Sequence, residues 1–225
     1  MFARSHRSSA PRQIDLLPRE ALVKTNPVDE ADWNFRPLLG VIQRQRFRLA
    51  VQLLRPARYQ RLLEIGYGSG VFLTELRRHC NELYGIDPHP MPDRVADVLA
   101  RRGVTVQLCS GGAASMPFAD SFFDCAVAVS AVEFIDHLET ACIEIRRILA
   151  PGGVFIVVTP GSSPIMDLGL RILTGNDPQE DFGNRRQAVV PTLLRHFVLQ
   201  RTLTFPPFGG SLARLYTALR LSNKK

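Results

Sequence analysis

Apolar and polar positions change rhythm twice along the chain. Between Pro37 and Arg55 the residues Leu38, Leu39, Ile42, Phe47, Ala50, Val51 and Leu54 recur at spacings of one to five and mostly share one broad face, which predicts an amphipathic helix. Pro37 suits a first helical position, Pro56 ends the element, and Arg44, Arg46 and Arg48 mark its more polar part. Beyond Pro56, short apolar runs alternate with helical stretches. The runs predict strands over 61–66, 82–87, 104–109, 124–130 and 154–159, and the stretches between them predict helices over 69–80, 90–102 and 134–149. Strands alternating with helices require parallel crossovers, so the expected fold class is α/β with a doubly wound, mostly parallel sheet. After Thr159 the rhythm weakens. Residues 165–173 and 191–197 read as short helices around a polar loop at 176–186. Residues 197–205 and 212–221 read as two closing strands, an antiparallel pair at the edge of the parallel sheet.

With no internal repeat and no second core, residues 15–225 read as one domain, and the basic, Ser-rich residues 1–14 read as a disordered tail. A 45% hydrophobic, 22% charged composition excludes wholesale disorder and fibrous folds. The longest apolar run, 125–132, falls far short of the ~20 residues of a membrane helix. The N-terminus has no apolar secretory stretch, so a cytoplasmic protein is expected. Cys80, Cys109, Cys125 and Cys142 form no CxxC pair and have no His at ligand spacing. No metal site is predicted, and the thiols read as small hydrophobes. The net charge of +7 divides into +6 over residues 1–60, −4 over 61–159 and +5 over 160–225. The basic flanks either meet an anionic partner or form a solvated surface rich in Arg.

The chemistry concentrates after the first predicted strand. Glu64-Ile65-Gly66-Tyr67-Gly68-Ser69-Gly70 places glycines where a chain must turn sharply and let a ligand approach its backbone. The dinucleotide fingerprint GxGxxG would put Val71 at its third glycine, and Glu64 beneath the loop would repel a pyrophosphate. A ligand with an ammonium group and no phosphate fits better. Asp87 closes the second strand, where an acidic side chain accepts from both hydroxyls of a ribose.

These motifs, together with SMPFADSFFDCAVAVSAVEFI and ILAPGGVFIVV, make residues 60–160 similar to class I S-adenosylmethionine-dependent methyltransferases. Within that class they most resemble the small-molecule enzymes of ubiquinone and menaquinone biosynthesis. The resemblance implies a seven-stranded Rossmann-like sheet of order 3-2-1-4-5-7-6 with an antiparallel C-terminal strand. The expected organisation is an N-terminal helical lid over 15–55, a cofactor-binding core over 60–160, and a substrate-side insertion with closing strands over 160–210. The resemblance also implies that Glu64, Gly66, Gly68 and Gly70 surround the methionine part of S-adenosyl-L-methionine and that Asp87 takes the ribose. Pro88, Ala113 and Met116 would border the adenine, and Ser130 would face the methionine and substrate. Gly112 stands where relatives carry the Asp that accepts from the adenine amino group.

Methyl transfer from a sulfonium needs alignment above all, and a base only where the acceptor must lose a proton. Glu133 and His137 are the candidate catalytic residues, with Asp136 between them; helix-start capping is the competing role for Glu133 and Asp136. Arg171, Arg185 and Arg186 are candidates to hold an anionic substrate or to lie in solvent. His89 reads as solvent-exposed, with the adenine edge as the other reading, and His196 reads as structural. The expected activity is methyl transfer to a small anionic or lipid-like metabolite, with peripheral membrane contact left open. The alternatives are an RNA or protein methyltransferase using the basic flanks, and a catalytically silent cofactor-binding or scaffolding protein.

Overall fold

The computed structural model describes residues 13–25, 31–161, 185–208, 210 and 214–223. Seven strands form a sheet of order β3-β2-β1-β4-β5-β7-β6. β1 (Tyr59–Ile65), β2 (Cys80–Asp87), β3 (Gln107–Ser110), β4 (Phe123–Val129) and β5 (Leu149–Pro160) run parallel. β7 (Tyr216–Asn223) is antiparallel to β5 and to β6 (Phe197–Phe205). This is the expected fold class. Strand order reverses between β1 and β4, and the space beyond their C-terminal ends is where sheets of this kind bind ligands.

Alternate residues of each strand feed two cores, because successive side chains point to opposite faces. Leu62, Val127, Ile156 and Ala218 pack under Phe47, Ala50, Leu53 and Leu54 of α1 (Leu39–Leu54). Leu63, Ala126, Phe155 and Leu219 form the other core with Cys142, Ile145 and Ile148. That face is covered by α4 (Leu138–Ile148) and α5 (Arg185–His196). Coverage on both faces explains why Cys125–Val129 reads as one apolar run.

The helix predicted over 69–80 is reduced to one turn, α2 (Leu73–Leu76), followed by a 3-10 turn at Arg77–His79. All four residues of α2 are buried, and the Glu75 carboxylate accepts from the Asp15 N–H at 2.9 Å and contacts His79 Nε2 at 3.1 Å. Tertiary contacts, rather than helical propensity, shape this segment. α3 (Pro92–Ala100) follows β2. α4 starts later than periodicity predicts because Val132–Phe134 forms a separate 3-10 turn that buries Glu133. β5 starts at Leu149, before Pro151-Gly152-Gly153, which lie within the strand beside a register shift at Phe123/Cys125. α5 starts at Arg185, well before Pro191, which it carries in its interior. The helix predicted over 165–173, with Arg171, lies outside the described residues.

Residues 13–25 cross α2. The Leu17 N–H donates to the Val71 carbonyl at 3.0 Å, and the Thr74 hydroxyl donates to the Asp15 carbonyl at 2.6 Å.

Candidate active site

The glycine loop leaves β1 at its switch-point end. Gly66, at φ +78°, sits so close to the segment after β4 that an added Cβ would lie 2.4 Å from Ala131 Cβ. Gly68, at φ +50°, has nothing within 4 Å of its Cβ position, so the loop presents open backbone there. Asp87 turns back onto this loop. Its Oδ2 accepts from the Gly68 N–H at 2.9 Å and its Oδ1 from the His89 N–H at 3.2 Å. A carboxylate offers about four lone-pair directions, so each oxygen keeps capacity for one more donor.

Glu64 is 4% exposed, and its Oε2 has no hydrogen-bond partner. Burial holds its pKa well above the ordinary carboxyl value, Asp87 adds to that, and Arg46 pulls it back. A buried carboxyl with an unpartnered oxygen favours its neutral form, and a cation placed beside that oxygen stabilises the charged form. An ammonium at Oε2, a diol at Asp87 and open backbone at Gly68 are mutually consistent requirements. The residues present therefore fit S-adenosylmethionine.

On the other wall, Pro88 is exposed, Ala113 is half-buried, and Gly112 is exposed with open space at its Cβ position. Met116 is buried and held from behind by α4. Its N–H donates to Glu144 Oε1 at 2.7 Å, and its carbonyl accepts from Arg147 Nη2 at 3.2 Å. Arg147 also donates to the Phe118 carbonyl at 2.8 Å and to Asp120 at 2.7 Å. Its hydrogen bond to Glu144 holds that carboxyl below its usual range. Ser130 closes β4 at φ +52°, with its N–H donated to the Val158 carbonyl at 2.7 Å.

A second polar group lies at the same end of the sheet. Glu133 is 1% exposed and its Oε2 has no partner. Burial pushes its pKa up to about 7, while a backbone hydrogen bond, Arg186, Arg46 and the neighbouring Thr159 hydroxyl pull it back. Arg46 comes from α1, Arg186 from α5 and Thr159 from β5. Tyr216, at the start of β7, feels both Arg46 and Glu133, and burial raises its phenol pKa. Arg46, Thr159 and Tyr216 escaped the sequence reading. Arg46 alone carried a signal, since it borders the apolar face of α1, where a long stem packs and a charged head reaches inward.

The structure thus gathers Glu64, Gly66, Gly68, Asp87, Glu133 and Arg186. His137 stands exposed at the start of α4, its carbonyl accepting from the Ala141 N–H. Arg185 is exposed and paired with Asp136 at 2.8 Å. His89, expected in solvent, is instead buried: prolines on both sides hold its turn against the glycine loop. His196 and Arg195 both engage the Glu139 carboxylate. Among the described residues no helix is long and apolar enough to cross a membrane.

Residues 63–157 match the family described as "Methyltransferase domain". Over 110 residues the chain is 34% identical to a ubiquinone biosynthesis O-methyltransferase of Azorhizobium caulinodans, covering 47% of this chain and 42% of that protein. The chain spans less than half the length of the curated relatives it matches. The N-methyltransferase NodS of Bradyrhizobium japonicum, solved with S-adenosyl-L-homocysteine, superposes with a TM-score of 0.62 at 18% identity, over 90% of this chain and 95% of that one. The [4+2]-cyclase SpnF gives 0.64 at 18% identity over 84% and 83%. These two likenesses are likenesses of fold. The family match and the relatives support a class I methyltransferase domain over residues 63–157, with S-adenosylmethionine as its cofactor.

Proposed function

We propose that the protein transfers the methyl group of S-adenosylmethionine to a small molecule, with Glu133 as the base that accepts a proton from the acceptor. The observation that carries this reading is the buried Glu133 carboxyl, its Oε2 unpartnered, at the same end of the sheet as the open Gly68 backbone and the unpartnered Glu64 oxygen. When bound, the cofactor supplies a methyl group already activated by a sulfonium leaving group. Glu64 would hold the amino group and Asp87 the ribose hydroxyls. Alignment of the acceptor with the methyl group and exclusion of water would supply most of the acceleration. A Glu133 pKa of about 7 suits a base working near neutral pH. Arg186 and Arg46, close enough to pull that pKa down, favour an anionic acceptor.

An RNA or protein acceptor has less support, because several flank arginines serve the fold itself. Arg44 donates to the Asn34 carbonyl at 2.6 Å, Arg58 to the Cys80 carbonyl at 3.1 Å and Arg220 to the Leu53 carbonyl at 2.6 Å.

The test is calorimetric titration with S-adenosylhomocysteine, followed by incubation with methyl-labelled S-adenosylmethionine and a fractionated cell extract. Because burial raises the Glu64 pKa and an ammonium beside it lowers it, binding should be coupled to proton release. The apparent enthalpy should then vary with buffer ionisation, and affinity should rise with pH. Glu64→Gln should bind at least about tenfold more weakly without that release. Absence of binding heat, or of any labelled small molecule, would overturn the reading.

A further inference from the structure

Residues 87–91 read Asp-Pro-His-Pro-Met. The two prolines have no N–H, so the turn has two backbone donors after Asp87, those of His89 and Met91. The His89 N–H goes to Asp87 Oδ1 at 3.2 Å, and the Met91 N–H goes to His89 Nδ1 at 3.1 Å. The other ring nitrogen, Nε2, lies 3.1 Å from the Gly68 carbonyl oxygen. A backbone N–H only donates and a carbonyl oxygen only accepts. These partners therefore dictate a neutral ring with its proton on Nε2. The side chain is 2% exposed, and the Tyr67 ring packs edge-on against it at 4.9 Å between centroids. Nothing else in the turn competes for either nitrogen: Asp87 Oδ1, the nearest carboxylate oxygen, is 4.0 Å from Nε2.

Gly68 is consequently gripped on both sides. Its N–H is held by Asp87 Oδ2 at 2.9 Å and its carbonyl by His89 Nε2. These bonds fix the two peptide units that flank Gly68, the loop glycine with open space over its Cβ position at φ +50°. We propose that His89 is a positioning residue, whose Nε2–H bond to Gly68 sets the glycine loop and the Asp87 carboxylate in their ligand-binding shape before any ligand arrives. Without that bond the peptide between Gly68 and Ser69 is free to rotate, and the ligand must restore its orientation at the cost of affinity. This inference rests on the site being the S-adenosylmethionine site, and it concerns a side chain that touches the loop rather than the ligand.

Two substitutions separate this role from simple capping of α3. His89→Asn places an amide oxygen near the position of Nδ1, where it accepts from Met91, but it falls short of Gly68. His89→Gln has the length to donate to Gly68 but is the poorer local cap. A capping role ranks Asn at or above Gln; the positioning role ranks Gln above Asn. S-adenosylhomocysteine is titrated calorimetrically into the parent and both full-length variants. The ligand-free, 15N-histidine-labelled parent is also examined by NMR. The expected results are a neutral His89 ring protonated at Nε2, roughly tenfold weaker binding by His89→Asn, and binding by His89→Gln within about threefold of the parent. A ring protonated at Nδ1, or His89→Asn binding as tightly as His89→Gln, would overturn the proposal. A parent that fails to bind S-adenosylhomocysteine would sink the proposed function, while the ring NMR would still decide whether the Gly68 contact exists.

Discussion

A carboxyl group sealed from water keeps its proton over a range of pH in which an unfolded chain has lost it. Glu133 is such a group, with an ordinary value of 4.5 raised to about 7 by burial. Between those pH values the unfolded chain releases the proton and the folded chain retains it, so stability must fall as pH rises through the interval and level off above 7. The whole effect is at most about 3 kcal/mol. Glu133→Gln keeps the shape without the charge. It is expected to melt several degrees above the parent at pH 8 and close to it at pH 5, measured by calorimetry without ligand. Its turnover should nevertheless fall on the order of a hundredfold or more if Glu133 is the proposed base. A variant that melts no higher at pH 8 would show that Glu133 carries no such burden. At this scale the sequence was informative wherever spacing alone defines a position. Glu64 and Asp87 are placed by their distance from the glycines. Choosing among Glu133, Asp136 and His137 depended on which one the fold buries, and no spacing rule carries that.

α4 shows what periodicity leaves out. Its apolar residues announce an amphipathic helix, and the structure finds one. Its polar face carries the further function, since Glu144 and Arg147, one turn apart, bracket the loop on which Met116 sits. Gly112 on that loop is exposed with nothing within 4 Å of its Cβ position, so the loop's shape depends on this support from behind. Glu144→Ala leaves the Met116 N–H without an acceptor and takes a carboxylate from Arg147. The expected cost is about 1–3 kcal/mol, read as a lower melting temperature. Amide hydrogen exchange over 111–122 should quicken, and S-adenosylhomocysteine should bind more weakly. Unchanged exchange over that loop would separate it from α4. The shortened α2 teaches the same lesson from the other side. Its sequence is good helix, but a segment buried all round answers to its neighbours before its own propensity.

The parallel core of the molecule was legible because each βα unit is written in consecutive residues. What was not legible was how the N-terminal segment closes on the core, since those contacts join residues some sixty positions apart. Asp15 and Leu17 give backbone N–H groups to Glu75 and Val71, and the Asp15 carbonyl takes the Thr74 hydroxyl. Leu17 is fully buried and Val23 nearly so. A chain lacking residues 1–23 therefore exposes the partners of three hydrogen bonds and the apolar surface under two side chains. At about 1–3 kcal/mol for each orphaned buried group, and a similar amount for Leu17, the loss is a large part of the roughly 5–15 kcal/mol that holds a domain together. α2 follows directly on the glycine loop, so loosening it should also loosen the loop. The truncated protein should melt at least about 10 °C below the full chain and bind S-adenosylhomocysteine more weakly, yet regain part of the difference at saturating ligand. Leu17→Ala should shift the melting temperature in the same direction by a smaller amount. If the truncated chain melted and bound like the full one, the segment would be a passenger, and the stability of the glycine loop would have to come from β1, β2 and the His89 contact alone.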